Sequence, residues 1–287
     1  MFFLSAEIPF LEPLVNTLLA FLESVPVGIV VMAFFIAWVG CWLPVAGVLA
    51  IALKWELNKP LQPEQKIPIM VSLYLLAPLI LWGVSWIRHK SFSDYGFVSQ
   101  ISFFSSLLLG FGLGVLSLTI VFTGQLWLGW CSLENSHIQQ IPSILLPITF
   151  IALFVGGIEE LVFRGFLFTE LKTDYPVWAA AVISSLIFAL LHLIWERSET
   201  LPQLPGLWLL GIVLVLARLA DHGNIGIAWG LHSGWIWAIA TIDTAQLITY
   251  TGKVSEWLTG KNKKPLAGLG GIVCVLGVGL ILWLFTQ

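Results

Sequence analysis

The sequence predicts an all-α, polytopic transmembrane helical bundle with about eight spans. Of the 287 residues, 58% are hydrophobic and only 10% are charged, a composition that soluble globular domains do not show. The mean hydropathy is +0.95. Apolar runs long enough to cross a hydrocarbon core recur along the whole chain, and membrane helices need about 20 such residues.

The eight predicted spans are separated by polar or charged connectors. They cover about residues 25–53, 67–87, 101–124, 142–163, 176–195, 205–217, 225–242 and 266–286. Residues 8–22 precede them and are typical of an amphipathic or interfacial segment. Glycines in the third span (Gly110, Gly112 and Gly114) and in the eighth predict helix packing through small residues.

Composition also restricts the partners. The formal net charge of −3 gives no basic footprint, so we expect no nucleic acid as a partner. The 15 tryptophans indicate extensive contact with membrane lipid at headgroup level. Cys41, Cys131 and Cys274 lie far apart without metal-ligand spacing, and we interpret them as small core residues.

Two adjacent carboxylates, Glu159 and Glu160, end the fourth span. Ionisable groups at membrane depth are costly and by default mark a functional site. In a helix, Glu160 and Arg164 lie on one face at i,i+4 and can pair. Glu159 lies about 100° away and has no local partner, which makes it a candidate general base. The alternative is a salt-bridged cap at the membrane boundary.

Two histidines occupy later spans, His192 in the fifth and His232 in the seventh. Buried polar groups persist more easily when they satisfy one another or a shared water or metal. Glu159 with His192 can take a proton from water while His232 stabilises an oxyanion. The same three side chains also form a His₂Glu set that would hold one divalent metal such as Zn²⁺. The residues leave both mechanisms open.

Other intramembrane proteases have different signatures. The sequence contains no His-Glu-x-x-His string and no aspartate in the middle of a span. In Gly230-Leu231-His232-Ser233-Gly234, histidine takes the place that serine holds in Gly-x-Ser-x-Gly. Neighbours along a helix point in different directions, so Ser233 and His232 do not predict a catalytic dyad.

Three motifs in order, Glu159-Glu160-x-x-x-Arg164, Phe188-x-x-x-His192 and His232, resemble the CPBP family of CAAX prenyl protease type II-like and abortive-infection membrane proteins. The resemblance covers about residues 150–240. It implies an intramembrane endopeptidase whose active site lies in a cavity inside the bundle. By position, Glu159 would activate water with His192 as its partner, Glu160 and Arg164 would support it, and His232 would serve an oxyanion or a metal.

The resemblance divides the chain into N-terminal helices (1–140, about three spans), a CPBP-type catalytic helical core (141–245) and a loop with a C-terminal helix (246–287). The expected substrate is a membrane-associated or lipidated protein, cleaved at a peptide bond. Many family members carry asparagine four residues after the last histidine, but here that position is Ile236. Either a backbone donor replaces its amide, or Asn224 or Ser233 helps, or activity is reduced.

Two other functions fit the residues. A catalytically silent scaffold or immunity protein would keep the fold, and Ile236 favours it. A transporter or proton relay also uses glutamate and histidine in spans, but it predicts inverted repeats in both halves. The polar residues here lie only in the second half.

Overall fold

The computed structural model describes residues 25–286 apart from 57–58, 60, 135–137 and 196. The interfacial segment predicted at 8–22 lies outside the described residues. Helices make up most of the remainder, which confirms the all-α class. The chain divides into two compact units, residues 1–92 and 93–287. The predicted core, 141–245, falls wholly within the second unit, together with the third and last of the predicted spans.

The first unit is a pair of apolar helices, α1 (Val27–Ala52) and α2 (Pro63–Ile87). Indole groups join them: Trp38 Nε1 donates to the carbonyl oxygen of Leu73 at 2.8 Å. A second indole, Trp42 Nε1, donates to Ser72 Oγ at 3.1 Å. These bonds satisfy indole donors that lipid could not satisfy.

The second unit contains the remaining helices and one small sheet. The helices are α3 (Ile101–Trp127), α4 (Ile141–Glu160), α5 (Phe168–Asp174), α6 (Val177–Leu191), α7 (Arg197–Thr200), α8 (Leu204–Ala220), α9 (Gly226–Thr244), α10 (Glu256–Thr259) and α11 (Leu269–Leu284). A π-helix covers Leu161–Leu167, and short 3₁₀ turns cover Ile138–Gln140, His192–Ile194, Leu201–Gln203, Lys261–Lys263 and Pro265–Ala267. Strands β1 (Cys131–Leu133) and β2 (Ile248–Tyr250) pair antiparallel.

Every predicted span corresponds to a helix of the structure. Within the described residues, six helical segments are long and apolar enough to cross a membrane: Val27–Ala52, Glu64–Ile87, Ile101–Trp127, Ile138–Asp174, Val177–Ile194 and Arg197–Ala220. The other two predicted spans are α9, which carries more polar residues, and α11, which has 16 residues. Many large apolar side chains on the outer faces of the long helices are exposed, as expected for surfaces that contact lipid.

The fourth span is longer than predicted. The sequence indicated an end near residue 163, but the helix continues through the π-helix and α5 to Asp174. The carboxylates therefore lie inside a continuous helical segment, and the prediction that the span ends at this motif is wrong. The reason is that the residues from Leu161 to Leu171 are buried, apart from the half-buried Thr169, so tertiary packing sustains the helix past the charges.

Helix α9 packs closely on α3 through glycines. A Cβ atom at Gly230 would lie 1.9 Å from the carbonyl oxygen of Leu107, and one at Gly114 would lie 2.6 Å from that of Leu231. Only small residues permit such an approach between membrane helices. Gly112, predicted to share this face, has no other described atom within 4 Å of its would-be Cβ, so it does not belong to the interface.

Helix α4 approaches α9 from the other side in the same way. A Cβ at Gly156 would lie 2.5 Å from Ser233 Oγ, and one at Gly157 would lie 2.5 Å from the indole of Trp229. Helix α9 is thus in close contact with both α3 and α4. This packing brings the end of α4, with its two carboxylates, to the middle of α9, where His232 lies.

Candidate active site

The innermost part of the site is the predicted ion pair. Arg164 Nη1 donates to Glu160 Oε1 at 3.0 Å, and both side chains are buried, with exposures of 1% and 0%. The guanidinium carbon of Arg164 also lies 4.3 Å from the centroid of the Phe188 ring, a favourable cation–π distance. The prediction that Glu160 and Arg164 pair at i,i+4 is confirmed.

His232 joins the two adjacent carboxylates. Its Nδ1 donates to Glu160 Oε1 at 2.8 Å, because an ionised carboxylate only accepts. Its Nε2 lies 3.6 Å from Glu159 Oε2, which is an ion-pair distance and too long for a direct hydrogen bond. Glu160 therefore accepts from both Arg164 and His232, whereas Glu159 faces the opposite nitrogen of the imidazole.

The cluster brings acidic and basic side chains into direct contact. Two carboxylates, Glu159 and Glu160, face the two nitrogens of one imidazole, and Arg164 adds a guanidinium on the Glu160 side. Buried charges are retained where such partners compensate them.

His192 is fixed differently. It begins a 3₁₀ turn directly after α6, and its Nδ1 donates to the carbonyl oxygen of Phe188 at 2.8 Å. A carbonyl oxygen cannot donate, so in the neutral imidazole the lone pair is on Nε2. The Phe188 ring contacts both histidines, with centroid distances of 4.5 Å to His192 and 5.9 Å to His232. Phe188 is thus a common packing partner of the two imidazoles.

A cavity of about 440 Å³ meets this cluster, and Glu159, His192 and His232 all line it. Most of the other lining residues are apolar, among them Leu118, Val155 and Leu207. Glu160 and Arg164 are not among the lining residues. Of the two carboxylates, Glu159 is thus the one that a substrate or a water in the cavity can reach.

Sequence reasoning did not find Arg218. Its Nη1 donates to the carbonyl oxygens of Arg164 and of Gly165, the latter at 3.3 Å, and to Thr169 Oγ1 at 2.8 Å. These groups lie in or just after the π-helix, whose i→i−5 pattern departs from regular α-helix bonding. Arg218 is 6% exposed. The sequence did contain a signal for this residue, because Arg218 lies inside the apolar stretch 204–220. A charged side chain at membrane depth is costly, and the same argument selected Glu159.

Asp221 was also missed. Its Oδ1 accepts from Ser106 Oγ of α3 at 2.7 Å, and its Oδ2 accepts from the backbone N–H of Ile227 at 3.1 Å. Ile227 lies in the first turn of α9, where backbone donors need external acceptors. Asp221 therefore fixes the start of the helix that carries His232. Its position in a polar turn had suggested only a connector.

The expected substitutes for the missing asparagine amide do not reach the cavity. Ile236 lines it, while Asn224 and Ser233 do not. Ser233 Oγ is buried against Gly156 and has no hydrogen-bond partner among the described residues. Gln203, which lines the cavity, was not predicted, and its Nε2 donates to the carbonyl oxygen of Glu199 at 2.9 Å.

The metal prediction concerns Glu159, His192 and His232. Within the part of the chain that the structure describes, no group of three or more His, Cys, Asp or Glu side chains is arranged to hold a metal ion. One nitrogen of His232 is engaged by Glu160. Glu159, His192 and His232 line one cavity, and their binding of a metal ion stays a prediction.

The fold and this site define a multi-pass membrane protein with a buried carboxylate–histidine cluster next to a cavity. Residues 141–238 match the family described as "Type II CAAX prenyl endopeptidase Rce1-like". The match confirms the resemblance to the CPBP family over this segment and supports a CAAX-protease-like membrane protein.

One curated relative is an "Uncharacterized 24.3 kDa protein" of Escherichia coli, 29% identical over 87 residues. The match covers 30% of this chain and 39% of the relative, so the chain spans about two fifths of the length of that protein. No solved structure matches the chain significantly.

Proposed function

We propose that this protein is an intramembrane endopeptidase that hydrolyses a peptide bond of a membrane-associated or lipidated protein. The observation that carries the proposal is that Glu159, His192 and His232, from three separate elements, line one cavity. Glu160 and Arg164 lie behind them and are buried. A scaffold alone gives no reason to place ionisable groups around an apolar cavity, because their burial is costly.

The reaction requires water, a base and a stabilised oxyanion. Glu159 takes a proton from a water held in the cavity, with Nε2 of His192 as the second acceptor. The resulting hydroxide attacks the substrate carbonyl carbon, and the C–O double bond becomes a C–O⁻ single bond. Collapse of this intermediate breaks the C–N bond, and the proton passes from Glu159 to the leaving nitrogen. His232 is held by Glu160 through Nδ1, and its Nε2 lies 3.6 Å from Glu159 Oε2, so Nε2 is the group assigned to the oxyanion.

The decisive experiment measures cleavage and metal content together on detergent-purified protein. Wild type is compared with Glu159→Gln and His192→Ala, using a lipidated peptide as substrate. Cleavage by metal-free wild type that is lost in Glu159→Gln supports the glutamate–histidine mechanism. About one equivalent of zinc that is lost in His192→Ala, with chelator-sensitive cleavage, would replace it with a metal mechanism.

A silent scaffold is the second candidate, and the observation that favours it is Ile236 in the cavity wall. Ile236 donates nothing to an oxyanion, whereas an asparagine amide can. If the protein is an enzyme, Ile236→Asn should retain or increase cleavage, because the amide adds a donor inside the cavity. A scaffold would show no cleavage with either residue.

A further inference from the structure

A second cavity, of about 600 Å³, adjoins the first and is much more polar. We call it the vestibule; its lining includes Glu134, Glu199, Gln246, Thr249, Tyr250 and Asn262. Ile239, Asp243, Lys264 and Pro265 line both cavities. The two spaces are therefore neighbours, one apolar and reaching the catalytic cluster, the other polar and reaching the small sheet.

All three residues of β2 line the vestibule. Glu134 N donates to the carbonyl oxygen of Leu247 at 2.8 Å, and Thr251 N donates to that of Trp130 at 3.0 Å. In an antiparallel ladder, hydrogen-bonded pairs alternate with non-bonded pairs. The backbone N–H and C=O groups of Ile248 and Tyr250 consequently point away from β1, and no backbone partner for them is found among the described residues.

The junction between the cavities carries both signs of charge. Lys264 Nζ lies 3.9 Å from Glu199 Oε2 and 3.9 Å from Asp243 Oδ2, beyond hydrogen-bond distance. Beside it, burial raises the pKa of Tyr250 to about 12, with Cys131 and Asp243 acting in the same direction. The Tyr250 phenol stays neutral at physiological pH. The vestibule thus offers an ammonium and a phenol O–H as donors for backbone carbonyl oxygens.

We propose that an extended segment of the peptide substrate binds in the vestibule as a third strand on the free edge of β2 and passes Lys264 into the catalytic cavity. A free strand edge binds extended peptides through main-chain hydrogen bonds. Strand β2 and Lys264 lie beyond residue 238, where the family match ends, so this subsite belongs to the chain's own C-terminal part. The inference rests on the proposed peptidase function.

The test uses binding, so that it does not depend on cleavage. The protein is the full chain with Glu159→Gln, and the probe is a dye-labelled ten-residue peptide with an S-farnesyl cysteine four residues from its C-terminus. Each backbone amide of the probe is N-methylated in turn. Because one edge of a strand presents every second residue, we expect Kd to rise about tenfold at alternate positions, the loss expected when one hydrogen bond is removed.

A protein variant tests the same edge from the other side. Tyr250→Pro removes the outward N–H without touching the ladder to β1, and edge positions tolerate proline. Tyr250→Ala is the matched control, because it loses the side chain and keeps the N–H. We expect Kd for the unmodified probe to be about tenfold higher in Tyr250→Pro than in Tyr250→Ala. If Tyr250→Pro does not fold, as judged by its melting temperature, the N-methyl scan decides alone.

The failures of the two proposals are distinguishable. If Kd shows no alternation along the N-methylated probes, or if the two Tyr250 variants bind the unmodified probe equally well, the strand-addition mode is overturned. This holds even if wild type cleaves the probe. An alternating scan with wild type that cleaves nothing supports the subsite and overturns the peptidase function. Absence of any binding overturns the subsite.

Discussion

Two neighbouring carboxylates of one helix have opposite surroundings. Glu160 is fully enclosed and accepts hydrogen bonds from Arg164 and His232. Glu159 is one residue away and lines the cavity. The difference comes from helical geometry, since consecutive side chains point about 100° apart. One carboxylate is thereby held by fixed donors, while its neighbour faces the cavity.

The largest effect is expected at Glu159, where a substitution should lower activity but leave stability nearly unchanged. Glu159→Gln should lower kcat by about 10³-fold, within the range of general-base contributions, while the unfolding free energy changes little. The amide keeps the shape but cannot take a proton from water. Steady-state cleavage and thermal unfolding in detergent measure the two quantities. A variant that cleaves normally would show that the base lies elsewhere.

The opposite pattern is expected at Glu160. Glu160→Gln leaves the Arg164 guanidinium buried without its counter-charge, and the unfolding free energy should fall by about 3–5 kcal/mol. The double variant Glu160→Gln/Arg164→Met removes both charges and should recover much of that loss. The measurement is reversible unfolding in mixed micelles. If the double variant is no more stable than the single one, the pair does not act as a unit.

Packing around α9 gives a smaller effect. Gly230→Ala places a methyl group 1.9 Å from the Leu107 carbonyl oxygen, so α3 and α9 must separate, at a cost of about 1–3 kcal/mol. Gly112→Ala is the matched control because the space there is open to 4 Å within the described part. Equal melting temperatures for the two variants would mean that the glycine contact is not tight in the membrane.

The smallest effect concerns Arg218. Arg218→Lys keeps a charge but has one donor nitrogen, whereas Arg218 uses two: Nε donates to the carbonyl oxygen of Gly223, and Nη1 donates to groups in and just after the π-helix. We expect a loss of about 1–2 kcal/mol in stability and a decrease in kcat larger than the change in KM. A larger change in KM than in kcat would assign Arg218 to substrate binding instead.

The sequence predicted much of this architecture because charge and hydropathy in a membrane protein are strongly constrained. The spans and the Glu160–Arg164 pair follow from burial costs and helical periodicity alone. The π-helix does not, because the apolar residues 161–163 and 165–167 favour α and π geometry almost equally, and Arg218 supports the rarer form from a distant helix. The sequence also does not predict the pairing of His232 with Glu160, because this contact depends on the close packing of α4 and α9 at Gly156 and Gly157.

The π-helix at Leu161–Leu167 has a consequence for how this helix accepts insertions and deletions. A π segment is equivalent to an α-helix with one residue inserted. Removing one residue from it would restore the α-helix and rotate everything after it by about 100° relative to the carboxylates. Glu170, whose Oε1 accepts from the Tyr95 hydroxyl at 3.3 Å, would then leave its partner while Glu159 stayed in place. The extra residue therefore sets the rotation of Glu170 about the helix axis relative to Glu159 and Glu160.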